Sequence, residues 1–309
     1  MLIDSSEFKN NINKMQQLFK VAFNRDISEQ MLVWRYINNP CKQTLASVFN
    51  VEGNLIANYS ACPCYLSHEG KVTKTALSMT TMTDPNHRRK GMFPMLAEEL
   101  YEAMARDNYY FILGFPNHLS HQIFTTYLGW RDIYEIPTMS LDLTTCPNKD
   151  SVRCETDNYF ELIYDDSIIS DEYIHVVKDQ QYLQWRYANN PVNEYINFVI
   201  SKNKKVCSYL VLKKYGQSLD IVDFQAAGYE EGEYLLKSAI TYAIDQKLKS
   251  INCWAPLYHF IHRLCEKNGF RNGQPITYFA GKVLNRQSYK KDFFDYRNWY
   301  IQMGDSDVY

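Results

Sequence analysis

Thr80-Thr81-Met82-Thr83-Asp84-Pro85-Asn86-His87-Arg88-Arg89-Lys90-Gly91-Met92-Phe93 is the stretch from which the fold can be read. The run before it, Val72 to Met82, predicts a strand. The run after it predicts an amphipathic helix over Met92 to Ala105, where Met92, Phe93, Met95, Leu96, Leu100, Ala103 and Met104 recur at helical spacing. A strand, a short basic turn and a helix start, in that order, bring unpaired main-chain N–H groups and the positive end of a helix dipole to one point. Arg88, Arg89 and Lys90 add three cationic side chains, and Gly91 lets the main chain approach an anion with no Cβ in the way. The arrangement predicts a pyrophosphate site.

Working outward, Ile12, Met15, Leu18, Phe19 and Ala22 predict a helix over Phe8 to Phe23. Ser28 opens a second helix, with Glu29 in its first turn and Pro40 at its end. Thr44 to Val51, Leu55 to Tyr65 and Val72 to Met82 read as a meander of strands, turning at Glu52-Gly53-Asn54 and Glu69-Gly70. Beyond the Met92 helix, Tyr109 to Phe115 predicts a buried strand, and Ser120 opens a helix that stops at Gly129. Helix, helix, three strands, helix, strand, helix, strand describes a mixed α/β (α+β) domain with a central sheet flanked by helices.

The chain contains this frame twice. Trp34-Arg35-Tyr36-Ile37-Asn38-Asn39-Pro40 returns 151 positions later as Trp185-Arg186-Tyr187-Ala188-Asn189-Asn190-Pro191, with six of the seven residues identical. Phe115-Pro116 and Leu128-Gly129-Trp130 return 140 positions later as Ala255-Pro256 and Asn268-Gly269-Phe270. Copies of this length are too long for solenoid repeats and indicate a duplicated domain. The polar stretch Thr144 to Asp150 marks the join, which divides the chain into a domain over 1–145, a second over 151–285 and a tail over 286–309. The motif survives in both copies, and its aromatic residues and Asn-Asn-Pro suit anchoring a helix to the sheet and ending it. The basic loop does not survive. Its counterpart, Ala226 to Tyr234, carries Glu230, Glu231 and Glu233, which repel a pyrophosphate, so the second copy is expected to bind none and to serve as a wall for the acceptor site.

Composition narrows the classes. The 309 residues are 46% hydrophobic and 22% charged with 12 Gly and 10 Pro, which excludes disordered and fibrous chains. The 33 Lys and Arg against 35 Asp and Glu give a net charge of −2, without the basic field of a general nucleic-acid binder. The polar start, Met1 to Asn13, and the lack of an apolar run approaching the ~20 residues of a membrane span predict a cytoplasmic protein with no membrane partner. Eight scattered cysteines, the closest pair being Cys62 and Cys64, predict reduced thiols and no metal site. The 25 Tyr and 16 Phe supply thick cores and suit a lined acceptor cleft.

Asn86-His87-Arg88-Arg89-Lys90-Gly91-Met92, between a strand and an amphipathic helix, resembles the acetyl-CoA signature of the GCN5-related N-acetyltransferases (GNAT). Arg88 and Gly91 fit that pattern, while Phe93 stands where the family has Gly or Ala. The following strand, the turn at Pro116-Asn117 and the helix ending Leu128-Gly129-Trp130 are also similar to the family. The resemblance implies tandem GNAT-like domains, the second degenerate, with two neighbouring parallel strands splayed apart to take the pantetheine arm. On that likeness the main chain of Met82 and Thr83 pairs with the arm. The N–H groups of Arg89, Lys90, Gly91 and Met92 hold the pyrophosphate, and Asn117 lies beside the pantetheine or the thioester. Acetyl-CoA is then the donor, and its acyl group passes directly to a small-molecule amine, with an amino sugar or sugar nucleotide ranked first.

The family's acid, a Tyr four residues before the Gly of the last turn, is Thr125 in this chain, which leaves Tyr127 as the nearest candidate. His118 and His121 are alternative bases or substrate ligands, though surface or capping roles suit them as well. Asp305 and Asp307 in the tail are candidates to hold a cationic amine or to act as base. Two rival readings keep the fold: an aminoacyl transferase on cell-wall precursors with aminoacyl-tRNA as donor, and a non-catalytic binding protein. The cationic loop and the net charge oppose the first, and only the missing Tyr supports the second.

Overall fold

The computed structural model describes residues 1–145, 152–165, 168–285, 291–307 and 309, so most of the Thr144 to Asp150 join, with Cys146, lies outside the described residues. The first repeat forms β1 (Leu2–Ile3), α1 (Ser5–Asn10), α2 (Ile12–Phe23), α3 (Glu29–Tyr36), β2 (Leu45–Val51), β3 (Asn54–His68), β4 (Lys71–Thr83), α4 (Met92–Arg106), β5 (Phe111–Gly114), α5 (His118–Thr126) and β6 (Arg131–Asp142). The second forms β7 (Glu155–Thr156), β8 (His175–Val176), α6 (Gln180–Leu183) running into a π-helical turn (Gln184–Ala188), β9 (Tyr195–Lys202), β10 (Lys205–Tyr215) and β11 (Ser218–Gln225). It ends with α7 (Tyr229–Asp245), β12 (Ser250–Cys253), α8 (Phe260–Lys267) and β13 (Arg271–Val283).

Local chemistry accounts for most boundaries. Ser28 Oγ accepts from Met31 N at 3.1 Å and starts α3. The helix expected over Phe8 to Phe23 is two helices, because Asn11 leaves helical geometry at φ −108° and ψ 11° and caps α1. Glu52-Gly53 and Glu69-Gly70 all have positive φ, the backbone that two-residue hairpins need.

The residues gather into two compact units, the first of Met1–Leu66, Val72–Tyr134 and Tyr278–Phe294, the second of Ser67–Lys71, Glu135–Thr277 and Asp295–Tyr309. These units do not follow linear boundaries at 145, 151 and 285. In the first, the strand order is β1-β2-β3-β4-β5-β13, and the last partner is the closing strand of the second repeat: Ala280 to Val283 run antiparallel to Phe111 to Gly114. In the second, the order is β6-β12-β11-β10-β9-β7, with Met139 to Asp142 of the first repeat against Ser250 to Cys253. The cores agree. Ala280 is buried with Leu96, Leu100 and Ile112, whereas Met139 and Leu141 are buried with Leu235, Leu236 and Ile251. At Gly281 a Cβ would stand 2.3 Å from the Phe111 ring, so this strand crosses β5 too closely for any side chain. Strand pairing is read from register and partner, and nothing local in either repeat names the partner.

Helix α4 lays Leu96, Ala97, Leu100, Tyr101 and Met104 on the first unit's sheet. Beneath it Tyr59 Oη bonds Ser78 Oγ at 2.9 Å and Tyr101 Oη at 2.8 Å, and Trp130 Nε1 donates to Tyr101 Oη at 2.9 Å. These aromatic residues bury their rings without orphaning their polar ends. Among the described residues, the seven cysteines are free thiols, no group of three or more His, Cys, Asp or Glu is arranged to hold a metal, and no helix is long and apolar enough to cross a membrane.

The second unit holds two histidines, His175 buried and His259 half-buried, that carry a pH prediction. Burial pushes both His175 and His259 down from 6.5 to about 4. The unfolded chain therefore binds protons first, so the stability present above pH 6.5 is lost as the pH falls towards 4, by about 3 kcal/mol for His175. Urea unfolding at pH 7 and pH 4.5 should show a shallower pH dependence in His175→Gln than in the native chain. Equal slopes would remove His175 from the acid sensitivity.

Candidate active site

In the first unit β4 and β5 pair in parallel over three positions only, Thr75 with Phe111 through Leu77 with Leu113. β4 then runs on from Ser78 to Thr83 with no partner from β5, which ends at Gly114. Within that free stretch Thr80 adopts a left-handed backbone at φ 54°. The two strands therefore separate at their C-terminal ends, where ligands of parallel sheets bind.

The basic turn closes this opening. Asp84 Oδ1 accepts from Asn86 N at 2.8 Å and turns the chain through a 3₁₀ turn, Pro85–His87. Arg89 (φ 63°) and Gly91 (φ 73°) then take left-handed conformations and reverse the main chain into α4. Gly91 caps α4 with no side-chain bond, so the first N–H groups of the helix stay open, except at Pro94, which has none. Arg89, Lys90 and Gly91 are exposed. Arg88 is differently employed: Nε donates to Thr83 O at 3.3 Å and Nη2 to Ala22 O at 3.1 Å, so its guanidinium braces the loop against α2. Thr83 thereby spends its carbonyl on Arg88, and Met82 is buried. Phe93 leaves the turn unobstructed, because its ring packs inward on Tyr59 (5.6 Å between centroids) and Phe124 (5.2 Å).

Asn117 lies exposed at the end of β5, and its Oδ1 caps α5 by accepting from Leu119 N and Ser120 N, each at 3.0 Å. Its carbonyl is thus committed, and only its amide N–H groups remain for a ligand. Tyr127 stands 67% exposed at the C-cap of α5, with nothing around it to hold a phenol over a reacting thioester. Thr125 turns its hydroxyl back to His121 O at 3.1 Å. His121, one turn earlier on the same face, is the side chain with a built environment. Its Nε2 lies 2.7 Å from Asp132 Oδ1, and its ring stacks on Tyr278 at 4.0 Å. The sequence places His121 among the candidates but holds no sign of Asp132 or of Tyr278, which arrives on the exchanged strand.

A splayed parallel pair, an open helix start and a cationic turn are shared with a known family. Residues 7–132 match the profile of the Acetyltransferase (GNAT) domain. The chain carries a GNAT domain. Solved structures share the fold of this chain over 92% of its length at low identity. They are a probable N-acyltransferase from Enterococcus faecalis (TM-score 0.64, 14% identity, 72% of that chain covered) and GCN5-related N-acetyltransferases from Anabaena variabilis (0.66, 10%, 73%) and Kribbella flavida (0.65, 8%, 72%). No curated protein matches. The GNAT domain supports acyl transfer in general as the chemistry of the chain.

The second unit repeats the splay with different contents. β11 and β12 pair from Ser218 with Ser250 to Ile221 with Cys253, after which β11 continues to Gln225. There the segment after Asp295 folds in: Gln302 takes both Phe224 N and Phe224 O with its side-chain amide, and Tyr300 Oη donates to Phe224 O. Asp305, a sequence candidate for amine binding or base, is buried with its carboxylate spent. Lys178 Nζ lies 2.9 Å from its Oδ1 and 2.9 Å from Asp223 Oδ2, and Gln302 N donates to its Oδ2 at 2.8 Å. Burial pushes the Asp305 carboxyl up against the pull of Lys178, so it serves the tail and not an amine; Asp307 is half-buried beside it. A cavity of about 520 Å³ remains, lined by Glu172, Tyr173, Ala226, Ala227, His259 and Phe260. At the helix start beyond it stand Glu230 and Glu231, the latter paired with Lys202.

Proposed function

We propose that the chain is an acetyl-CoA-dependent N-acetyltransferase whose first unit transfers the acetyl group directly to a small primary amine. The observation that carries this reading is the free stretch of β4, Ser78 to Thr83, leading into an exposed cationic turn and an open helix start. An extended arm laid along β4 would have main-chain partners, and a pyrophosphate would meet the N–H groups of Arg89 to Met92 with Arg89 and Lys90 beside them. His121 then supplies the base, while the position of the family's acid stays with Thr125. With Nε2–H donated to Asp132, its Nδ1 is the nitrogen left to accept the proton that the ammonium must lose. Amino sugars and sugar nucleotides head the acceptor screen.

Acetyl-CoA at a hundredfold excess over Kd should stabilise the protein by about 2.7 kcal/mol, raising Tm by several degrees. Gly91→Glu, which places a carboxylate where the phosphates are to lie, should abolish that rise, and Arg89→Ala with Lys90→Ala should reduce it. A native protein whose Tm does not move at millimolar acetyl-CoA would end this reading.

A further inference from the structure

The repeated Trp-Arg-Tyr-x-Asn-Asn-Pro segment is structural in its tyrosines: Tyr36 Oη bonds Ser60 Oγ at 2.9 Å and Tyr187 Oη donates to Asp223 Oδ2 at 2.9 Å. Its arginines do something else. In the second unit Arg186 is 5% exposed and holds a stretch of peptide by its carbonyls. Nε donates to Gly304 O at 3.0 Å, Nη2 to Ser306 O at 3.1 Å and to Tyr309 O, and Nη1 to Tyr195 Oη at 3.3 Å. The peptide lies hard against the next residue of the motif, since a Cβ on Gly304 would stand 2.2 Å from Tyr187 Oη.

In the first unit the same position, Arg35, has no peptide to hold. Its Nη1 donates to Thr80 Oγ1 at 3.0 Å, and its Nε is buried with no hydrogen-bond partner among the described residues. Beside it Asn58, 2% exposed, spends both amide hydrogens, on Thr80 O at 2.8 Å and Ser60 Oγ at 3.1 Å, and leaves Oδ1 buried without a partner among the described residues. The two side chains that carry this buried donor and this buried acceptor both bond Thr80 through their other atoms, and Thr80 is the left-handed residue in the free stretch of β4. Buried polar groups are nearly always paired, and a binding site built for hydrogen bonds is where exceptions belong.

We infer that Arg35 and Asn58 recognise a secondary amide on the acceptor, its carbonyl accepting from Arg35 Nε–H and its N–H donating to Asn58 Oδ1. The inference rests on the acyl-transfer reading of the same cleft and names its substrate class: a primary amine that also carries an amide, as an aminoacyl amide or an acylamido sugar does. A carboxylate satisfies Arg35 but sets an anion against Asn58 Oδ1, and an alkylamine satisfies neither. The second unit holds the model for the carbonyl half of this contact in its own main chain.

The test compares N-acetylethylenediamine with n-pentylamine, similar in length but lacking the amide, with glycylglycinamide and an amino-2-acetamido sugar as further arms that separate the two sources. In the native protein kcat/KM should favour N-acetylethylenediamine by at least tenfold, and in Arg35→Ala and Asn58→Leu the ratio should fall to within about twofold. A variant damaged only in its fold slows both amines and keeps the ratio. If Arg35→Ala does not fold, Arg35→Lys, which keeps the charge and loses the Nε–H, replaces it. Calorimetric binding of N-acetylethylenediamine to the native protein and to Arg35→Lys without CoA reads the subsite even if acetyl-CoA fails to bind. No amide preference in the native protein, or an unchanged ratio in the variants, would overturn the inference.

Discussion

Lys178→Met is expected to destabilise the second unit by about 3 to 5 kcal/mol, the range for removing one member of a buried ion group. Lys178 is 3% exposed in its side chain and sits between two carboxylates that are 0% exposed, Asp223 and Asp305, at 2.9 Å from each. Burial alone would lower its pKa, but the two carboxylates outweigh that and raise it, so the lysine is held charged. Without it, two anions are left facing each other in an apolar interior, and the segment that brings Asp305 into the unit loses its hold. Asp305 already has its pKa raised by burial, so the stability linked to its protonated form is present at low pH and lost as the pH rises. The deficit of Lys178→Met should therefore shrink in acid. The triple change Lys178→Met, Asp223→Asn, Asp305→Asn should recover most of the loss, because neutral groups do not need the cation. Urea unfolding of the single and triple variants measures this, and a single-variant loss below about 1 kcal/mol would show that the three charges are not coupled.

The second large effect concerns catalysis. His121→Ala should lower kcat by about a hundredfold or more, the usual contribution of a positioned base, while leaving the acetyl-CoA Tm rise intact. Asp132→Asn should cost less, about tenfold, because it disturbs the ring's orientation and tautomer without removing the base. Tyr127→Phe should change kcat less than twofold, given its exposure. A His121→Ala enzyme within threefold of the native rate would assign the base to another group.

The turn from Thr80 to Phe93 was legible because its signals are local. Asp84 caps its own neighbour, Gly91 needs no Cβ, and the apolar period of α4 starts where the loop stops. The division of labour inside that turn was less so, since whether a cation faces solvent or braces a helix depends on Ala22, more than sixty residues away from Arg88. His121 was visible as a residue, yet its partner Asp132 sits on a strand with no periodic relation to it, and Tyr278 reaches it only by the exchange of β13. Arg35 was visible too, hidden by its resemblance to Arg186. Only the bonding pattern separates the arginine that holds a peptide from the one that lacks it.

By itself the sequence determined the order of helices and strands over its first part, the strand-turn-helix loop and the recurrence of the Trp-Arg-Tyr-x-Asn-Asn-Pro segment, because each is written in residues close along the chain. The tertiary structure decided which repeat completes which sheet, what fills the second splay and where Asp305 spends its charge. Those outcomes follow from long-range pairing and burial, where a strand, a carboxylate or a guanidinium takes whichever partner the fold delivers.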